Sequence, residues 1–466
     1  MPIDPSSTET PNHLLIDPVT RDDLNLFGSS DSPEADDLSL YSFCNRCQTQ
    51  GGERVLRRRM QAPWSDARAI ENTQKALLFI NRNDKAFAEL PPAYVVGNTD
   101  EYTRDGVPII QDRGIVEFAT DAFSLWANED RFYIRINKGV TLSCRVIRAL
   151  RRLLHYLKPA SQQNSEQGSQ QDSGELKELL DELQTLLARP TLAAIPDEDT
   201  ERRFWQTLRL DQTFRLHEPQ TLRRLLEIVY EIDALASLAH ATREHELLMP
   251  DINPATVHIS AQELVHPLVP DAVANPVELN QQQRLLFLTG PNMAGKTTYL
   301  RAVATALYLA HLGMGVPAAQ FSFAPVQHLL TAISMSYDLH DGISYFRAEA
   351  LRIKAVALAI AEGDRVVAIM DEPFKGTNVK DAFDASVAVL GQFSTKQDCL
   401  FMVTSHLIEV SEEFGQTMNI DYQYFEAEES AQKLRFDYVL HPGVSSQRLG
   451  MRVLREEGIF SLLDKR

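Results

Sequence analysis

Residues 285–313 read LLFLTGPNMAGKTTYLRAVATALYLAHLG, and this stretch decides the fold of the C-terminal half. Four apolar residues and a threonine, a glycine-bounded loop and a long run of helix formers predict strand, loop and helix in immediate succession. The loop 290–298, GPNMAGKTT, fits the spacing GxxxxGK[ST] through Gly290, Gly295, Lys296 and Thr297. The spacing has a physical reason. Backbone N–H groups must point inward at phosphate oxygens, which calls for glycine where a side chain would block the approach. The loop opens into a helix N-terminus, whose dipole favours an anion. Lys296 brings a mobile positive charge to the outer phosphates, and the Thr297 hydroxyl can join a Mg²⁺ shell. Gly290, Pro291, Asn292, Met293, Ala294, Gly295, Lys296, Thr297 and Thr298 are therefore the expected contacts of ATP, with Mg²⁺ as its companion.

Such a loop needs a carboxylate at a neighbouring strand end to hold the metal and a group to activate water. Residues 365–378, RVVAIMDEPFKGTN, supply both. Asp371 follows five apolar residues and is expected at the strand's C-terminal end, facing the metal with Thr297. Glu372 beside it is placed to act as general base or to orient the attacking water. The apolar run CLFMVT (399–404) leads into Ser405 and His406. His406 is thus expected at the same end of the sheet, where ligands of open α/β folds bind, to sense or hydrogen-bond the γ-phosphate. With LLTAI (329–333), these short apolar runs between helical segments mark buried parallel strands. An α/β P-loop domain of ABC type is expected over 251–466, cut from what precedes it by MPDINP (249–254).

Upstream, the pattern is helical. TLSCRVIRALRRLLHYLK (141–158) and ELKELLDELQTLLAR (175–189) predict amphipathic helices. Residues 220–247 predict one long helix with Leu225, Ile228, Val229, Ile232, Leu235 and Leu238 on its apolar side. Between 92 and 140, AYVVG and RFYIRI predict short strands. SQQNSEQGSQQDSG (161–174) predicts an exposed loop. Residues 1–38 hold nine acids against Arg21 alone and predict a disordered acidic tail. A mainly helical domain is therefore expected over 39–250.

The motifs resemble those of the MutS family of mismatch-repair ATPases. GPNMAGKTT looks like that family's GPNMxGK[ST]T, and MDEPFKGTN (370–378) like its MDExxxGT[SN] segment. TSHLIEV (404–410) resembles the family's histidine segment. DLHDGISYFRAEA (338–350) resembles its DxxxGxSxFxxE signature through Gly342, Ser344, Phe346 and Glu349. HPLV (266–269), GVPA (315–318) and GVSSQRLGMRVLREEGI (443–459) match further landmarks. CNRCQTQGGERVLRRRMQAP (44–63) resembles the start of the family's core domain, and YEIDALASLA (230–239) its return helix from the lever. The resemblance implies a homodimer with composite ATP sites, in which Ser344 of one protomer reaches the partner's nucleotide. It implies an ATPase acting as an ATP-switched clamp on DNA, in mismatch repair or recombination, with repair proteins as possible partners. It also identifies a short member, without the mismatch-reading and connector domains and with a reduced clamp. Ala272 and Val273 stand where the family often has an aromatic for adenine, and Pro373 is unusual after the Asp-Glu pair.

The chain has 466 residues, 44% hydrophobic and 24% charged, enough for a large core. No stretch is long and apolar enough to predict a membrane span, and the N-terminus does not read as a secretory signal. Four cysteines are too few for a disulfide framework and suggest a reducing, cytoplasmic setting. Cys44 and Cys47 form a lone CxxC with no second ligand pair, which reads as packing rather than a metal site. The net charge of −18 argues against DNA binding through overall charge. Arg145, Arg148 and Arg152 share one helix face and are the best candidates for phosphate contacts, together with Arg54, Arg57, Arg58 and Arg59. The alternative function is an ATP-dependent protein-interaction switch without direct DNA binding. A transporter's nucleotide-binding subunit fits less well, because DGISYF stands where an LSGGQ-like signature would be needed.

Overall fold

The computed structural model describes residues 12–28, 38–104, 106–107, 109–110, 120, 130–163, 173–199, 201–334, 345–415, 419–429, 434–445, 447, 454–455 and 459–463. The chain forms two compact units. One comprises Met1–Phe43, Ala62–Glu71 and Glu244–Arg466, and the other Cys44–Gln61 and Asn72–Arg243.

Among the described residues, the first unit holds ten strands: β1 Asp251–Ile252, β2 Ile259–Leu264, β3 Asn275–Leu279, β4 Leu285–Thr289, β5 Gln320–Phe323, β6 His328–Ala332, β7 Val366–Met370, β8 Cys399–Thr404, β9 Ile420–Glu429 and β10 Leu434–Pro442. Six form one sheet in the order β10-β9-β4-β8-β7-β6. All its pairings are parallel except the β9–β10 hairpin. Every residue of β4, β7 and β8 is buried, which is why these strands are continuous apolar runs without alternation. Phe287, Ala368 and Phe401 belong to their core, where Phe393 stacks on Phe401 with ring centroids 4.5 Å apart. The other four strands form a smaller sheet, β1-β5-β2-β3.

The expected acidic tail is in part ordered. Asp17 caps the helix Pro18–Asp23 by accepting from Thr20 N at 2.9 Å, with Pro18 at its first position. Leu15 bridges His328 in parallel, so this segment lies along the edge of β6. Asp23, 3% exposed, accepts from Thr331 Oγ1 at 2.6 Å, Ile333 N at 2.9 Å and Ser334 N at 2.6 Å. Arg352 donates to Thr331 O at 2.7 Å, to Thr20 Oγ1 at 2.9 Å and to Asp17. The acidic composition suggests disorder, but Thr20 and Asp23 serve as acceptors for one strand end, and Asp17 meets the arginine that donates to it.

The second unit is helical. Its helices include Gln50–Gln61, Ala93–Arg104, Asp130–Gln163, Leu176–Leu187 and most of Pro219–Glu244. AYVVG and RFYIRI are not strands. The first opens the helix that follows Pro91-Pro92, where Val95, Val96, Thr99 and Tyr102 form a buried helical stripe. The second begins the helix Asp130–Gln163, in which Ile136 and Val140 are buried one turn apart. Tertiary packing overrides the β-preference of their branched and aromatic residues. Thr49 caps the helix Gln50–Gln61 by accepting from Gly52 N at 2.9 Å, and Asp233 of the long helix fixes that cap, accepting from Gln48 N, Thr49 N and Thr49 Oγ1. Cys44 and Cys47 are not joined in a disulfide, and burial pushes both thiols up to about 12.

Candidate nucleotide site

The loop 290–298 leaves β4 and ends in the helix Lys296–His311, as the pattern predicts. Three of its residues have positive φ: Gly290 at 133°, Met293 at 70° and Gly295 at 101°. Such a turn is accessible to glycine and strained for methionine. Met293 is 76% exposed at the loop's outer side. Lys296 is buried, and its Nζ donates to Gly290 O at 2.8 Å and Pro291 O at 3.1 Å. Burial lowers its pKa, and the nearby Glu372 and Asp371 carboxylates oppose that shift. Lys296 therefore lies close to two acids and to the loop's own carbonyls, an arrangement that holds the ammonium ready for an anion.

Asp371 ends the run of β7, and its N–H donates to Ala332 O of β6 at 2.9 Å. Its carboxylate accepts from Thr297 Oγ1 at 2.6 Å and from Thr404 Oγ1 at 2.5 Å. Thr404 Oγ1 also accepts from Glu372 N at 2.9 Å. Glu372 Oε1 meets His406 Nε2 at 2.5 Å. The hydrogen bond from His406 is the largest cause holding the Glu372 carboxyl below its ordinary range, against burial and with help from the charges of Lys296 and Lys375. Glu372 and Phe374 have φ of 52° and 68°. Each costs about 1–3 kcal/mol, and such strain concentrates at functional sites.

A cavity of about 490 Å³ opens beside the loop. Asn292, Met293, Gly295, Lys296, Thr297, Thr298 and Glu372 line it, and Leu264, His266 and 269–273 supply another part of the wall. This is the size range of small-molecule sites. The donor set suits Mg²⁺ and a triphosphate: an ammonium, a helix N-terminus, and a hydroxyl–carboxylate pair at Thr297 and Asp371. Burial, with the Arg301 charge, pushes His266 down to about 4, so its ring is neutral at physiological pH.

The structure thus brings together Lys296, Thr297, Asp371, Glu372 and His406. Ser344 lies outside the described residues. The sequence reading missed Thr404, which ties Asp371 to Glu372, and Tyr438, an exposed cavity-lining aromatic. Tyr438 sits where the β9–β10 register shifts between Phe436 and Leu440. Asn275 of β3 holds it there, donating to Tyr438 O at 2.9 Å and accepting from Leu440 N at 2.8 Å. The resemblance places an aromatic just before Asn275, whereas the one lining this cavity comes from a hairpin, 163 positions after Asn275.

The arginine face proposed for phosphates is engaged by acids of its own unit. Arg145 and Arg148 both meet Asp199, at 3.4 and 3.0 Å, Arg151 meets Asp197 at 2.6 Å, and Arg152 meets Glu89 at 2.7 Å. Arg59 makes a two-pronged pair with Glu175, both contacts at 3.0 Å. Among the described residues, no helix is long and apolar enough to cross a membrane.

Comparison with protein families gives two matches. The MutS domain V model matches residues 286–462, a span that contains the loop 290–298, the Asp371–Glu372 pair and His406. The MutS domain III model matches residues 19–239, beginning inside the segment that composition alone assigned to a tail. Domain V is the ATPase domain of that family. The two matches together span most of the chain between residues 19 and 462, and the chain belongs to the MutS family.

Proposed function

We propose that this chain binds Mg²⁺·ATP in the cavity beside residues 290–298 and hydrolyses it, and that the nucleotide state switches a dimeric clamp on DNA in mismatch repair or recombination. The observation that carries the catalytic part is the continuous chain of contacts Thr297–Asp371–Thr404–Glu372–His406. The residues take distinct roles. The loop amides and Lys296 bind the phosphates, while Thr297 and Asp371 hold the metal. When bound, the metal neutralises charge on the outer phosphate oxygens. Glu372, whose carboxyl the His406 hydrogen bond holds below its ordinary range, orients the attacking water and accepts its proton as the water oxygen bonds to the γ-phosphorus and the β–γ bridging P–O bond breaks to release ADP. His406 fixes the Glu372 carboxylate and stands ready to hydrogen-bond the γ-phosphate. Tyr438 and the wall at 269–273 flank space for the base.

Dimerisation, with Ser344 completing the partner's site, rests on the family resemblance, as do the DNA partner, possible repair-protein partners and a cytoplasmic location. The arginine pairs in the helical unit direct the search for DNA contacts elsewhere. Two variants and one titration test the reading. Lys296→Ala should weaken ATP binding about 10- to 100-fold, measured by titration with a fluorescent nucleotide. Glu372→Gln should retain binding and lose about 100-fold or more in turnover. ATPase rates with duplex, mismatched and branched DNA at several salt concentrations test the clamp. Normal hydrolysis by Glu372→Gln removes the catalytic assignment, and rates indifferent to every DNA at low salt remove the DNA partner.

A further inference from the structure

Glu349 lies in the helix Tyr345–Ala361 and is only 4% exposed. The chemistry above does not use it. Its carboxylate accepts from Gly376 N at 3.2 Å, and the backbone N–H groups of Lys375 and Phe374 face it more loosely and help to hold its pKa down. Those amides belong to the turn that leaves the end of β7 directly after Glu372. The turn has an unfavourable backbone, with positive φ at Glu372 and Phe374 on either side of Pro373. A second contact comes from the same helix face. Phe346, three residues before Glu349, packs on the buried Phe374 with ring centroids 6.2 Å apart. On the other side, Thr404 Oγ1 holds Glu372 N at 2.9 Å. Strained turns persist where the surroundings over-determine them. Here the determinants are one carboxylate, one ring and one hydroxyl.

The burial of Glu349 points the same way. A carboxylate removed from water needs donors, and burial pushes this one up while the three amides and Lys375 pull it back. An apolar residue would pack in such a position without needing those donors. A carboxylate there offers two acceptor oxygens to the converging N–H groups, where the amide of glutamine offers one.

We propose that Glu349 is a positioning residue for ATP hydrolysis: by anchoring amides 374–376, together with Phe346, it keeps Glu372 aimed at His406 and the cavity. This rests on the reading of Glu372 as the carboxylate that orients water. The helix that begins at Tyr345 is then joined to the hydrolytic carboxylate through a single turn, so that a shift of its first turns is felt at Glu372.

The test uses the full chain with Glu349→Ala, Glu349→Gln and, as reference, Glu372→Gln. Three quantities are read: affinity for a fluorescent ATP analogue with Mg²⁺, single-turnover hydrolysis, and hydrogen exchange of the peptide covering 371–378. Glu349→Ala should hydrolyse about 10- to 100-fold more slowly, with affinity changed by no more than about two-fold. Glu349→Gln, which keeps one acceptor oxygen, should recover part of the rate. Both variants should exchange amides 374–376 faster while β7 stays protected. Where Glu349→Ala does not fold, Glu349→Gln carries the test alone, against the wild type. Hydrolysis at the wild-type rate in folded Glu349→Ala, or unchanged exchange at 374–376 in Glu349→Gln, overturns the proposal. An inactive Glu372→Gln beside an active Glu349→Ala removes Glu349 alone. An active Glu372→Gln removes the reading beneath it, and this proposal with it.

Discussion

Two glycines of the phosphate loop share a left-handed backbone but differ in what surrounds them. A Cβ built on Gly290 would lie 2.6 Å from Phe425 O, a backbone atom of β9, which pairs with β4. Neither strand can retreat without disturbing the centre of the sheet. A Cβ on Gly295 would meet Tyr438 Cδ1 at 3.2 Å, the edge of an exposed ring that can turn away. Backbone strain of about 1–3 kcal/mol applies to both. Gly290→Ala adds a steric term of about 1–3 kcal/mol to that strain. The expected order in urea unfolding is therefore wild type, then Gly295→Ala, then Gly290→Ala. Only Gly290→Ala should also displace the loop enough to abolish nucleotide binding. Equal stability losses in the two variants would mean that the β9 carbonyl is not the constraint.

At the scale of elements, the short helix Pro18–Asp23 has an effect beyond its length. It supplies the acceptors for the C-terminal end of β6, next to the Asp371 amide that donates to Ala332 O. Removing the Asp23 carboxylate leaves Ile333 N, Ser334 N and the Thr331 hydroxyl without their acceptor in a buried place. Unsatisfied buried donors cost about 1–3 kcal/mol each, partly recovered by water and local relaxation. Asp23→Ala should then lower stability by about 2–4 kcal/mol in urea titration. A loss below about 0.5 kcal/mol, the level of an ordinary surface substitution, would show that the helix merely rests on the sheet. Nothing in the sequence near Asp23 announces this role, because its partners lie about 310 positions further on, at |i−j| of 308 to 311. The same distance problem hid Tyr438 and the strand order of both sheets. The locally legible parts are β4, β7 and β8, apolar runs whose burial on both faces leaves a plain signature, and the loop 290–298, whose glycine spacing lies in nine consecutive residues. The strands expected at AYVVG and RFYIRI failed for the opposite reason. Their composition favours β structure, while the spacing of their buried residues, visible over a longer window, is helical.

For the whole molecule, the net charge of −18 is set against an arginine-rich helix whose cations are met by Asp197, Asp199 and Glu89, so charge alone gives little attraction for DNA. Charge also shapes the response to acid, and one buried histidine makes that response testable. His311 is 0% exposed. Its Nδ1 lies 2.6 Å from Trp64 O and its Nε2 accepts from Val326 N at 3.4 Å. That pattern fits only the neutral ring with the proton on Nδ1, since a second proton would face the Val326 amide. Burial accordingly pushes His311 down to about 4 from an ordinary value of 6.5. Between those values the unfolded chain binds a proton that the folded chain refuses, so stability is full above pH 6.5 and falls as the pH drops toward 4. At pH 5 this one group should remove about 2 kcal/mol. His311→Gln offers one donor and one acceptor but does not titrate. The drop in unfolding free energy between pH 7.5 and 5 should therefore shrink by about 2 kcal/mol in this variant, even if its stability at pH 7.5 is lower. Trp64, stacked on His13 and bonded to His311, reports the transition directly once Trp126 and Trp205 are replaced by phenylalanine. Parallel pH profiles for wild type and His311→Gln would place the acid sensitivity elsewhere, with His266, pushed down to about 4 by its own burial, as the next residue to exchange.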